Sequence, residues 1–126
     1  MAKQFTIWTE RTGKVHAECT SENPKTAELI MKALPIQGNA NRWGDEVYFS
    51  TPVNTKEENG RVDVEVGSVA YWPPGKAVCI FFGPTPVSSG KTPRAASKVN
   101  VFAKILDDSA VFKKVLDDDK VNLQSE

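Results

Sequence analysis

The chain has 126 residues, with 16 Lys+Arg against 16 Asp+Glu and a formal net charge of zero. That length supports one domain over residues 1–126 with a buried core and no need of disulfides. The charge balance excludes the basic field of a nucleic-acid binder, and no apolar run approaches the length of a membrane span.

Phe5–Trp8 reads as a strand, and the turn Thr9–Gly13 leads into a second, Lys14–Thr20, where Val15, Ala17 and Cys19 share a face. A helix comes next, with Asn23 as N-cap, Pro24 in the first position and Ala27, Ile30, Met31 and Leu34 as its apolar stripe; Pro35 ends it. Residues 35–41 read as loop. Glu46–Ser50 alternates like a strand, residues 51–60 are polar and turn-rich, and Val62, Val64 and Val66 mark another strand. Val69–Trp72 and Ala77–Phe82 are strands on either side of a Pro-Pro-Gly turn. Residues 83–97, rich in Gly, Pro and Ser, read as a mobile surface loop. Lys98–Leu106 is a strand with Val99, Val101, Ala103 and Ile105 on one face. Asp108 or Ser109 caps a short helix through Leu116, and Val121–Leu123 is a last short strand. Eight strands and two short helices predict a mainly β protein, a closed eight-stranded barrel filled by its own side chains.

Residues 77–82 are the most informative. Ala77, Cys79 and Phe81 point one way and Val78, Ile80 and Phe82 the other. Both faces are apolar, so both must be covered, by protein or by a ligand. The expectation is that Ala77, Cys79 and Phe81 face the interior, while Ile80 and Phe82 face outward to a groove.

Three segments, in order, resemble cyclophilins. Asn23-Pro24-Lys25-Thr26-Ala27-Glu28 is similar to that family's P-K-T-A-E-N-F helix, and Ile80-Phe81-Phe82 to its Q-F-F strand. Lys98–Val115 is similar to its K-H-V-V-F-G-K-V-x-x-G-M-D-V-V-K-K-I segment. The stretches Trp43–Phe49, Val69–Gly75 and Phe81–Pro86 look closer still to a compact prokaryotic cyclophilin-like family. The resemblance implies the cyclophilin-like barrel. It also implies a weakened isomerase set. Phe82 is retained, but Ile80 stands where the family has Gln and Val99 where it has His. No Trp occurs near Ala95 or Ala96, and the Arg motif is missing, with Arg42 lying in its region.

Fold does not settle function. The candidate ligand-binding residues are Arg42, Trp43, Glu46, Tyr48, Tyr71, Trp72, Ile80 and Phe82: an apolar floor, aromatic walls, one guanidinium donor and one carboxylate anchor. Glu46 shares a strand face with Tyr48, whereas Asp45 and Glu46 point to opposite sides. The catalytic set is unknown. One histidine and two separated cysteines offer no metal-ligand spacing, Asp117-Asp118-Asp119 reads as a solvated turn rather than a calcium loop, and no cofactor motif occurs. The expected function is a binding module for a small molecule or short proline-containing peptide. The alternatives are a peptidyl-prolyl isomerase and a structural homodimer. Cys19 and Cys79 occupy apolar strand positions and Met1 opens directly onto Gln4–Trp8, so the expected setting is cytoplasmic with reduced thiols.

Overall fold

A computed structural model describes residues 3–126. Strand β1 (Gln4–Thr9) and strand β2 (Gly13–Cys19) form a hairpin in which Phe5 opposes Ala17 and Ile7 opposes Val15. Gly13, at φ +71°, makes the left-handed step that such a turn needs. Helix α1 (Pro24–Ala33) comes next, with Thr26, Ala27 and Ile30 buried.

Asn23 occupies the N-cap position, but its side chain does not cap. Its Nδ2 donates to Val101 O at 2.8 Å, and its Oδ1 accepts from Asn59 N at 2.6 Å. Glu58 caps instead, accepting from Lys25 N at 3.2 Å and Thr26 N at 3.1 Å. Burial works against the Glu58 carboxylate, but the bonds from Thr26 and Lys25 outweigh it and hold its pKa below the ordinary range. The polar loop 51–60 is thereby tied to the start of the helix.

Strands β3 (Ile36–Asn39) and β4 (Asn41–Arg42) occupy a region expected to be loop. They are too short to show a strand-like run in the sequence, and each pairs with a different neighbour, β3 with β10 (Lys120–Ser125) and β4 with β5 (Glu46–Ser50). Then come β6 (Arg61–Asp63), β7 (Ser68–Trp72), a 3₁₀ turn at Pro73–Gly75, β8 (Ala77–Phe81) and the long β9 (Arg94–Ile105). The second helix, Ser109–Lys114, is 3₁₀, and the Asp108 carboxylate caps it by accepting from Ala110 N at 3.0 Å.

Ten strands therefore build the sheet, in the order β3-β10-β1-β2-β9-β7-β8-β5-β4, with β6 pairing β9 off that path. This corrects the closed eight-stranded barrel. The ladder is not closed: its two ends, β3 and β4, are joined through Ala40 rather than paired with one another. The extended segment in the Gly/Pro/Ser-rich region is a second correction, since β9 begins at Arg94 and leaves a shorter connection of 82–93. Both ends of that connection are anchored. Asp45 N donates to Pro84 O at 3.0 Å, Val64 N donates to Pro93 O at 3.2 Å, and the Thr85 hydroxyl bonds Arg94 O.

Two apolar clusters lie on opposite sides of the β7–β8 region. The larger holds Phe5, Ile7, Ile30, Phe49, Tyr71, Val78, Ile80, Phe82, Phe102 and Phe112. The smaller holds Val64, Ala70, Cys79, Phe81, Ala95, Val99 and Val101, with Tyr48 and Trp72 against it. The facing of residues 77–82 is thus the reverse of the expectation. The alternation is as expected, but two apolar faces cannot say which is inside; that is decided by where β9 and β6 lie. β9 also changes faces. A register shift between its pairings with Val69 and Ala70 sends Val99 and Val101 to the smaller cluster and Ala103 to the larger.

Candidate functional site

The site grows from the β4–β5 hairpin. Gly44, at φ +60°, turns the chain so that Trp43 and Glu46 pair across it, Trp43 N to Glu46 O at 3.0 Å and Glu46 N to Trp43 O at 3.2 Å. Cross-strand partners project to one face. Two residues on, Tyr48 joins the same face, opposite Cys79 of β8. Cys79 in turn opposes Ala70 of β7, and Trp72 lies two residues beyond Ala70 on that side. Ala95 and Val99 of β9 complete the wall.

Between them lies a cavity of about 230 Å³ lined by Trp43, Glu46, Tyr48, Trp72, Cys79, Ala95, Ala96 and Val99. Trp72 is held in place. Its Nε1 donates to Ser97 Oγ at 2.6 Å, and its ring packs on Gly75, where an added Cβ would come within 2.7 Å of Cε3.

Glu46 is the chemical centre. Only 6% of it is exposed, and burial pushes its carboxyl up to about 7, with a hydrogen bond to the Cys79 thiol opposing the rise. No basic side chain is among the residues lining the cavity. The Cys79 thiol is raised well above its ordinary value by burial and by the neighbouring Glu46, so it is a proton-bearing wall group and not a nucleophile. Cys19 and Cys79 are both free cysteines.

Of the eight residues expected at a site, the structure brings four together: Trp43, Glu46, Tyr48 and Trp72. Ile80 and Phe82 are in the larger core, 0% and 4% exposed. Tyr71 is fully buried there too, its hydroxyl donating to Val53 O at 2.7 Å. Arg42 is engaged elsewhere. Its Nε donates to Gly44 O at 3.2 Å, Nη1 to Lys113 O at 3.1 Å and Val115 O at 2.8 Å, and Nη2 to Gly44 O at 2.9 Å and Asp45 Oδ1 at 3.5 Å. Those bonds use all five guanidinium hydrogens. The group also lies over the Phe82 ring, 5.1 Å from its centroid. Arg42 thus closes the C-terminal end of the 3₁₀ helix and covers the core.

Sequence reasoning misses Cys79, Ala95, Ala96 and Val99. Cys79 is expected on the opposite face of its strand. The alanines fall in the stretch that reads as loop, although Ala95 and Val99 do keep the two-residue alternation of a strand. Among the described residues, no group of three or more His, Cys, Asp or Glu side chains is placed to hold a metal ion, and no helix is long and apolar enough to cross a membrane.

The cyclophilin-like family model matches residues 3–124. The solution structure of a hypothetical protein from Archaeoglobus fulgidus is 43% identical, covers 99% of this chain and 95% of its own, and superimposes with a TM-score of 0.83. A comparison with curated proteins found no match. A family match over almost the whole length and a full-length structural relative at that identity lead to one conclusion: the chain belongs to the cyclophilin-like family.

Proposed function

We propose that this protein is a binding module for a small molecule, received in the cavity between the β4–β5 hairpin, β7, β8 and the start of β9. The observation that carries this reading is the combination of a buried carboxyl, Glu46, with three aromatic walls, Trp43, Tyr48 and Trp72, around about 230 Å³. Ligand sites are concave, mostly apolar and equipped with few polar groups, and this one has that composition. Its walls are preorganised by the Trp72–Ser97 bond and the tight hairpin, which lowers the ordering cost of binding.

A prolyl isomerase needs a donor aimed at the prolyl nitrogen, and Arg42 has its hydrogens committed to carbonyls and Asp45. The cavity walls contribute no guanidinium, so binding without isomerisation is the better reading. The apolar face that a homodimer contact would use, that of Ile80 and Phe82, is covered by the chain's own core, which removes the reason for invoking a partner copy.

The test is a titration of the labelled protein with small apolar and aromatic fragments, monitored by amide chemical shifts. Binding should move residues 43–48, 72, 79 and 95–99, and Trp72→Ala should abolish the response. Shifts centred on residues near Phe82, or none at all, would overturn the reading.

A further inference from the structure

We propose that the ligand class of this cavity is a methylated ammonium ion, its positive centre held against Glu46 and enclosed by Trp43, Tyr48 and Trp72. The inference rests on the small-molecule reading above and narrows it.

Charge decides the first step. The one carboxyl group among the lining residues is buried, and no basic side chain lines the walls to neutralise it. An anion would meet like charge. A neutral apolar molecule would keep the carboxyl protonated or, above about pH 7, leave the carboxylate without a counter-charge, an arrangement that low dielectric penalises strongly. A cation satisfies it.

The walls decide which cation. Trp, Tyr and Phe faces attract cations through the ring quadrupole, and Trp does so best. Two tryptophans and a tyrosine surround this acid. A primary ammonium carries three N–H donors, and a guanidinium five, each needing an acceptor once buried. Among the lining residues the Glu46 carboxylate is the one anionic acceptor, and it already takes a hydrogen bond from the Cys79 thiol, so it does not pair three or five N–H donors by itself. A trimethylated ammonium has no N–H to leave unpaired, is weakly hydrated, and presents only methyl groups to the aromatic faces. A proline ring would fit the aromatics but offers the ionised Glu46 neither charge nor donor.

The groups that face Glu46 also fix its pH behaviour. They are Tyr48 on its own strand, Cys79 on β8, Trp72 on β7, and Ala95, Ala96 and Val99 on β9; none is basic. Asp45 and Arg42, in the hairpin, are paired with one another at 3.5 Å. Lys98 of β9 lies 3.8 Å from Glu57. The free carboxyl holds its proton up to about pH 7, so a bound cation must displace that proton. Affinity then falls by about tenfold from about pH 8 to about pH 6.

The experiment compares choline and tetramethylammonium with 3,3-dimethylbutan-1-ol, the neutral carbon isostere of choline. Amide shifts around the cavity and calorimetry in two buffers of different ionisation enthalpy are the readouts. Expected are binding of both cations at least about tenfold tighter than the alcohol at pH 8, proton release near pH 6.5, and loss of the preference in Glu46→Gln. That variant is isosteric with the protonated acid and keeps the fold. Equal or tighter binding of the alcohol would overturn the cation assignment while leaving the small-molecule reading intact. Absence of cation binding would overturn it too, and the fragment titration then decides the wider reading by itself.

Discussion

Glu46 shows how one side chain can couple a site to the stability of the whole chain. Its carboxyl has an ordinary value of 4.5 and is raised by burial to about 7 in the folded state. Between these two values the folded protein binds more protons than the unfolded chain, so stability falls as pH rises. The contribution is fully present below pH 4.5 and lost once pH passes about 7. At about 1.4 kcal/mol per tenfold change in proton affinity, the loss is about 3 kcal/mol. Urea unfolding of wild type and Glu46→Gln at pH 5 and pH 8 measures it. The wild type should lose about 2.5 kcal/mol more than the variant across that range; parallel pH dependence would remove the basis for a buried acid here. Arg42 carries the opposite lesson. The sequence marks it as a hydrogen-bond donor, which it is, but its acceptors are Gly44, Lys113 and Val115 carbonyls rather than a ligand. Arg42→Ala should therefore destabilise the fold by about 2–3 kcal/mol and leave fragment affinity at the Glu46 cavity unchanged. A loss of affinity without loss of stability would return Arg42 to the site.

At the scale of elements, what is legible in the sequence is the part of each strand that alternates. β1, β2, β5, β7 and β8 fall within a residue or so of their expected spans because each has a continuous apolar rhythm. β3 and β4 do not, since four and two residues are too few for periodicity to register. Gly38 explains why such a poor strand former is used there. A Cβ at that position would come within 2.9 Å of Phe49 Cδ2 and 3.1 Å of Ser50 O, so β3 approaches β5 more closely than any side chain permits. Gly38→Val should cost about 1–3 kcal/mol by forcing the two strands apart, and thermal unfolding would register it. An unchanged midpoint would mean that the approach of β3 to β5 contributes little. β9 is half legible. Its later part has the apolar alternation, but the shift in its pairing with β7 breaks the face that the four residues Val99, Val101, Ala103 and Ile105 are expected to share. A bulge has no sequence signature of its own.

For the molecule as a whole, the prediction concerns catalysis. The proline cis/trans exchange rate of a short peptide should be the same with and without the protein, because the cavity has no guanidinium donor and Val99 and Ala95 present only methyl groups to it. Robust acceleration that Glu46→Gln or Trp72→Ala abolishes would refute a purely binding role. The chain by itself determined that this is a mainly β protein, which residues alternate, and that residues 77–82 are apolar on both sides. These are local properties, carried by spacing along a single strand. Motif resemblance added the family. Which face of residues 77–82 lies in the main core, and which in the wall of a cavity, was decided only in three dimensions. Both faces are apolar and both are buried, so alternation alone does not choose between them, and the choice falls to the neighbours. β3, β10 and the 3₁₀ helix with its C-cap bring Ile36, Leu123, Phe112 and Val115 to one side, while β6 and the start of β9 cover the other less completely. The incomplete cover leaves a cavity against Cys79, and the hairpin at Gly44 sets Glu46 and Trp43 across from one another at its rim.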